Sequence, residues 1–349
     1  MKIAFVIANL NSGGAERAVS NLSVELSKAH DVSVILFDAS DIGYPFGGKI
    51  IDLNSHPKES KLGKLLNVFS RASKLKKVYK EHNFDAIFAF MEGSGIPSLL
   101  VNKDTIVSVR NNIEDLPGLY KPFFPYLYRK AKKVVACSHS IERDLIENYG
   151  FKNTTTIHNT VNIELVVDKS KESIEIERPY IFALGRLVPQ KGFDFLIEAY
   201  SNSQAKEHLD LLICGEGEKR AELQSMIDER GLKDKVTLKG SVNNPFAYYS
   251  KTAQFVLSSR HEGFPNILIE ALACGSPCIS FDCKTGPNEV INNGENGLLV
   301  EAENVEKLTE AMDKLSSDKA LENQFRENAK ASVSHLNPES ISQKWVELI

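Results

Sequence analysis

The chemistry-bearing residues of this chain concentrate in SSRHEGFPNILIEAL, residues 258–272, where two carboxylates, Glu262 and Glu270, bracket a turn. The apolar run before it, residues 254–257, reads as a strand. Gly263 permits a sharp turn, and Pro265 suits a first helical position because its absent N–H would have no intrahelical partner. The helix that follows offers the amides around Asn266, Ile267 and Leu268, beside Phe264 and Pro265, as a seat for an anion, most commonly phosphate. Glu262 and Glu270 lie slightly over two turns apart at about 3.6 residues per turn, so both can face one ligand. A carboxylate repels phosphate unless it points at hydroxyl donors instead. The pattern asks for a ligand with phosphates in the middle and polyols at both ends, the shape of a nucleotide sugar. An ordinary surface helix with an acid near its N-terminus would carry the same letters, so the pair gains meaning only from other segments.

One such segment is Gly185-Arg186-Leu187-Val188-Pro189-Gln190-Lys191-Gly192, after an apolar strand at residues 180–184. Arg186 and Lys191 stand on one loop at the carboxyl end of a strand, where open α/β sheets bind ligands. A guanidinium and an ammonium there would neutralise the charge building up on a departing diphosphate, whereas two solvated loop cations are the plainer alternative. Another segment is NLNSGGAER, residues 9–17, between a buried-strand pattern at 3–8 and a helix with apolar Ala15, Ala18, Val19, Leu22 and Leu26. Gly13 and Gly14 allow close approach of a phosphate or polar ligand, although a simple strand-to-helix turn looks the same. This is not G-x-G-x-x-G, which disfavours a nicotinamide dinucleotide.

Two parallel-sheet arrays must position these loops. The first has strands expected at 3–8, 32–37, 84–90, 105–109, 133–137 and 154–157; residues 41–60 are too irregular to assign. The pattern restarts with strands at 180–184, 209–214, 236–238, 254–257, 277–281 and 298–300, a helix beginning near 285, and tail helices near 305–315, 319–333 and 339–349. The fold class is α/β, with two Rossmann-like βαβ domains facing each other across a cleft. The expected division is 1–165, a low-hydrophobicity linker at 166–179, and 180–335, with a terminal helix at 336–349.

At 349 residues, 42% hydrophobic and 25% charged, the composition is that of an ordinary globular protein of two domains. A net charge of -4 and a pI near 6.1 argue against nucleic acid as a partner. No run approaches the roughly 20 apolar residues of a membrane span, and the N-terminal run is short for a signal peptide, so a cytoplasmic location is expected. Cys137, Cys214, Cys274, Cys278 and Cys283 form no zinc-ligand spacing and read as small buried hydrophobes. No D-x-D occurs in the chain, so no metal and no cofactor are expected.

A helix expected over 61–82 carries the apolar stripe Leu62, Leu65, Leu66, Phe69, Ala72, Leu75 and Tyr79. Around it stand Lys58, Lys61, Lys64, Arg71, Lys74, Lys76, Lys77 and Lys80, a concentrated basic face in an acidic protein. Such a face can rest on anionic lipid or hold a diphosphate, or it is simply solvated. The aromatic and basic run YKPFFPYLYRKAKK, residues 120–133, is compatible with a headgroup interface or with a core-packed helix start.

The Glu262 and Glu270 pair resembles the E-x7-E element of the family 4 retaining glycosyltransferases, which have the GT-B fold, and the loop of Arg186 and Lys191 is similar to that family's basic loop. The resemblance covers essentially the whole chain. It implies that Glu262 touches the donor sugar and Glu270 the ribose, that Arg186 and Lys191 hold the leaving diphosphate, and that the Gly13-Gly14 loop faces donor phosphates and acceptor. It further implies that Asn111 takes the place of a histidine near the donor sugar. An amide cannot become an imidazolium, which leaves Asn111 hydrogen bonding only. His158 stands where the family has proline, and the last helix should cross back to the first domain with Trp345 as its anchor. In relatives that extend lipid-linked oligosaccharides a basic helix contacts the lipid pyrophosphate, a role implied here for Lys74, Lys76, Lys77 and Lys80. The resemblance thus implies a UDP-sugar donor, a lipid-linked glycan acceptor, and peripheral association with the cytoplasmic face of the membrane. A nucleotide-sugar epimerase of the same fold and a non-catalytic membrane-docked binding protein are the alternatives.

Overall fold

The computed structural model of the chain describes residues 1–11, 13–116 and 118–349. Ser12 of the glycine loop lies outside the described residues, as does the side chain of Lys61 on the basic helix. The chain divides into two compact units, Met1–Thr160 with Pro338–Ile349, and Val161–Asn337.

The first unit runs β1 (Lys2–Ile7), α1 (Gly14–Leu26), β2 (Asp31–Leu36), β3 (Lys49–Asp52), α2 (Lys61–His82), β4 (Ala86–Phe90), α3 (Glu92–Val101), β5 (Ile106–Val109), α4 (Phe124–Tyr128), β6 (Lys133–Ala136), α5 (His139–Glu147) and β7 (Thr154–Thr156). Its seven-stranded parallel sheet has the order β3-β2-β1-β4-β5-β6-β7. The central strands KIAFVI and AIFAF are continuous apolar runs because helices cover both faces of a parallel sheet. The order reverses between β1 and β4, where open sheets of this kind receive ligands. β3 falls in a stretch too irregular to assign from sequence. It is a short edge strand with only half-buried Ile50 and Ile51, so it needs little apolar signal.

Helix α2 has the expected bounds, capped by Ser60, which accepts the Gly63 amide at 3.1 Å, and closed by Asn83 in the left-handed region at φ 51°. Its expected apolar stripe splits. Ala72 and Leu75 are buried, as is Val68, which lay outside the stripe. Leu62, Leu66 and Phe69 stand 67%, 60% and 54% exposed. Periodicity identified the helix but could not tell that its first turns do not bury a face. Lys74 also departs from the open basic face: its ammonium donates to the carbonyls of Leu53 and Asn54 at 2.7 and 2.8 Å. In the aromatic run, Phe124 and Tyr128 are fully buried, while Phe123 and Tyr126 are exposed.

The second unit runs α6 (Ile163–Lys169), β8 (Tyr180–Leu184), α7 (Phe193–Asn202), β9 (Asp210–Cys214), α8 (Arg220–Glu229), β10 (Val236–Gly240), α9 (Phe246–Lys251), β11 (Gln254–Leu257), α10 (Asn266–Ala273), β12 (Cys278–Asp282), β13 (Gly297–Glu301), α11 (Val305–Ser317) and α12 (Lys319–Ser332). The six-stranded parallel sheet has the order β10-β9-β8-β11-β12-β13 and reverses between β8 and β11. The linker expected at 166–179 is instead partly helical. Asn162 caps α6 by accepting the Leu165 amide at 3.0 Å, and Asn244, Ser250 and Lys251 donate to the carbonyls of Lys169, Ser170 and Glu172. Low hydrophobicity hid it because polar hydrogen bonds hold it down. The helix expected near 285 is a single 3-10 turn, Pro287–Glu289.

The last helix, α13 (Pro338–Val346), is part of the first unit. Its Trp345 is 1% exposed, edge-on to Phe88 and stacked on Phe90, both with ring centroids at 5.2 Å. All five cysteines are free, and burial pushes the thiols of Cys214 and Cys283 up to about 12, as expected of inert core residues. Among the described residues no helix is long and apolar enough to cross a membrane.

Candidate functional site

In the second unit, the loops after β8 and β11 leave neighbouring strands on either side of the point where the sheet order reverses. The first loop carries Arg186 and Lys191, the second Glu262, and the two loops are bonded together. Lys191 Nζ donates to Glu262 Oε1 at 2.7 Å, with the side chains 15% and 9% exposed. Ser259 Oγ donates to the same oxygen at 2.6 Å, and the Thr285 hydroxyl donates to the Glu262 carbonyl. The backbones are cross-linked as well: the Arg260 amide donates to the Gln190 carbonyl at 2.8 Å, Gln190 Nε2 to the His261 carbonyl at 2.9 Å, and Ser258 Oγ to the Lys191 carbonyl at 3.0 Å. Gly192 is required here. It sits at φ 61°, and a Cβ on it would lie 2.0 Å from the Ser258 carbonyl oxygen.

Arg260 completes this clamp. Its guanidinium makes a two-pronged contact with Asp194 at 3.0 and 2.6 Å, donates to the Pro189 carbonyl at 2.6 Å and lies 4.2 Å over the Phe195 ring. Burial pushes the Asp194 carboxyl up, but the Arg260 hydrogen bonds and charge outweigh it and hold the group below the usual range. Ser259, Arg260, Thr285 and Asp194 were not singled out from sequence. Arg260 lies inside the motif itself, yet its partner is 66 residues away, and no local spacing reveals that pairing.

Arg186 is exposed, with no acidic partner among the described residues. Pro265 occupies the cap before α10 rather than its first turn, and the Leu268 amide already donates to the Pro265 carbonyl at 3.1 Å. The anion seat expected from three amides is therefore narrower, because the proline carbonyl satisfies one of them. Phe264 and Pro265 are buried, Asn266 and Ile267 half-buried. Glu270 is 4% exposed and on α10, one turn before Cys274, whose thiol it helps to raise after burial.

In the first unit, Gly13 caps α1 at the carboxyl end of β1, with φ 146°, and a Cβ there would meet the Glu16 carboxylate at 2.4 Å. Gly14 opens the helix. Asn111 is exposed after β5. Its neighbour Arg110 is 6% exposed, donates to Ser108 Oγ at 3.4 Å and to Asn159 Oδ1, and lies 5.4 Å over the Phe90 ring. Burial pushes its guanidinium down from its ordinary value. Lys76, Lys77 and Lys80 are exposed on α2.

Residues 12–165 match the model of Glycosyltransferase Family 4, and residues 166–332 that of Glycosyl transferases group 1. The chain is 32% identical over 347 residues to an N-acetylgalactosamine-N,N'-diacetylbacillosaminyl-diphospho-undecaprenol 4-alpha-N-acetylgalactosaminyltransferase of Campylobacter jejuni, with 94% of each chain covered. It is 27% identical to an amylovoran biosynthesis glycosyltransferase of Erwinia amylovora, covering 97% of this chain and 96% of the other. Among solved structures it is similar to a glycosyltransferase from Rickettsia africae, with TM-score 0.81, 22% identity, and 99% and 97% of the two chains covered. It is also similar to an Anabaena protein in complex with UDP-glucose, with TM-score 0.82, 20% identity, and 99% and 98% covered.

Proposed function

We propose, from the premise that this chain belongs to the family 4 glycosyltransferases, that it moves a hexose or N-acetylhexosamine from a UDP-sugar to a lipid-linked glycan acceptor during synthesis of a cell-surface polysaccharide or oligosaccharide. The observation that carries this reading is the joining of the Lys191 loop to the Glu262 turn at the strand-order reversal of the second unit. Relatives named for undecaprenol-diphosphate acceptors support the acceptor class, and a similar fold that holds UDP-glucose supports the donor.

In this reading Lys191 exchanges Glu262 for the donor diphosphate. Freed from the ammonium, Glu262 accepts hydrogen bonds from the sugar hydroxyls, and Glu270 takes the ribose. The acceptor hydroxyl oxygen attacks the anomeric carbon from the face the diphosphate leaves. As the bond from that carbon to the phosphate oxygen breaks, the leaving phosphate takes the acceptor proton, so configuration is retained. Arg186 and Lys191 carry the charge that develops, in the place a metal clamp would take in a D-x-D enzyme, so transfer should persist in a chelator. The exposed Leu62, Leu66 and Phe69, continued along the same side of α2 by the exposed Lys76, Lys77 and Lys80, support peripheral docking on the cytoplasmic face of the membrane.

The test is a thermal-shift panel of UDP, GDP, ADP and their sugars, with chelator present. Ligand at about 100 times its dissociation constant stabilises by about 2.7 kcal/mol, a melting shift of a few degrees. UDP compounds should produce it, and consumption of the UDP-sugar should require an acceptor, unlike an epimerase. No shift with any nucleotide would overturn the reading.

A further inference from the structure

Two histidines of the first unit meet at a place that the donor chemistry does not use. His139 is the first residue of α5, directly after its Ser138 cap, and His158 follows the end of β7. Helix α5 leaves the end of β6, and β6 pairs with β7 in parallel, so strand adjacency brings the two residues together at the carboxyl ends of neighbouring strands. Their ring centroids lie 5.1 Å apart at an interplanar angle of 84°. Each ring offers a nitrogen within 4.8 Å of one on the other. His139 is exposed and His158 half-buried, so an ion in solution reaches the pair from the His139 side.

Two imidazoles on one tetrahedral ion, with metal–nitrogen bonds of about 2.0–2.1 Å, place their ring centres about 5.2 Å apart and their ligating nitrogens about 3.3 Å apart. The centroid separation found here matches that arrangement. Nearly perpendicular planes are no obstacle, because each ring need only hold the ion in its own plane. Bringing the nitrogens together requires a turn about χ2, a torsion that is broad for histidine, and the exposed ring of His139 has room to make it. The backbone that carries the rings is held firmly. Ser138 Oγ accepts the Ile141 amide at 3.3 Å, the Ile157 amide donates to the Ala136 carbonyl at 3.0 Å, and Asn21 Nδ2 donates to Thr160 Oγ1 at 2.9 Å. Asn159, next to His158, accepts a hydrogen bond from Arg110. Imidazole nitrogens select zinc, nickel and copper, whereas magnesium and calcium take oxygen ligands.

We propose that His139 and His158 bind one divalent transition-metal ion of the zinc, nickel and copper class, with water in its remaining positions, as a staple between the start of α5 and the segment after β7. The ion takes no part in sugar transfer. The site is independent of the donor reading, which places its charges on Arg186 and Lys191 of the second unit.

The test is calorimetric titration of the full chain, first stripped of metal with chelator and dialysed, against zinc, nickel and magnesium chlorides, with thermal denaturation of the same samples. The proteins compared are the wild type, His139→Ala, His158→Ala and, as a control, His56→Ala, whose imidazole pairs with Asp38 at 2.8 Å elsewhere in the unit. Zinc and nickel should bind the wild type and His56→Ala at one equivalent and raise their melting temperatures, and magnesium should do neither. His139→Ala and His158→Ala should each weaken binding at least about tenfold, since even the loss of a ligand's supporting contact costs that much, and should lose the melting shift. His139 is exposed, so its variant keeps the fold and carries the test alone if His158→Ala does not fold. Absence of one-equivalent binding to the wild type, survival of binding in His139→Ala, or its loss in His56→Ala would each overturn the site.

Discussion

Lys191 and Glu262 lie 71 residues apart in the chain, yet their side chains meet in a 2.7 Å ion pair largely shut from solvent. The pair joins the loops after β8 and β11. It also means that each residue is held in place before any ligand arrives; in the proposed function the donor would take over this mutual contact.

Replacing Lys191 with Ala should lower turnover by about two to three orders of magnitude, the usual cost of removing one charge-stabilising donor. It should also lower the melting temperature, because among the described residues the Glu262 carboxylate then keeps only Ser259 as a side-chain partner. The double variant Lys191→Ala with Glu262→Gln should recover stability without activity. Steady-state kinetics and thermal denaturation separate the two effects, and wild-type turnover in the single variant would remove Lys191 from the mechanism.

Glu92 makes stability depend on pH in a direction opposite to most carboxylates. Its folded value of about 7 exceeds the ordinary 4.5, so between those values the native state binds the extra proton. Stability is then highest below about pH 4.5 as far as this group is concerned, and falls as pH rises toward 7, by about 3 kcal/mol in all. Denaturant melts of wild type and Glu92→Gln from pH 5 to 8 should diverge, the variant losing this slope and becoming the more stable at pH 8. Parallel profiles would show that the carboxyl titrates normally.

The exposed Leu62, Leu66 and Phe69 lie on one side of α2 at helical spacing, and the exposed Lys76, Lys77 and Lys80 further along that side supply the cations that anionic headgroups attract, each contributing about 1 kcal/mol near a surface. Changing the three apolar residues to Ser should reduce co-sedimentation with anionic vesicles at unchanged melting temperature, since none is buried. Changing Lys74 should instead cost stability, because its ammonium ties down the Leu53 and Asn54 carbonyls. Undiminished vesicle binding by the triple variant would exclude this face as the membrane contact.

By itself the sequence determined what rests on local pattern. Continuous apolar runs mark strands covered on both faces, so nearly every strand and both parallel sheets were legible, and so was the type of residue at each strand end. Only the tertiary structure decided which loops meet. Strand order places β8 beside β11, and that adjacency brings Lys191 to Glu262, Arg260 to Asp194 and the Gly192 backbone against Ser258. It also decided burial: the apolar residues at the start of α2 look like a core stripe and are exposed, whereas Glu92, a charged letter in an unremarked stretch, is sealed against Tyr128. A side chain's period is a property of its own element, but its partner and its access to water are set by the packing of elements distant in the chain.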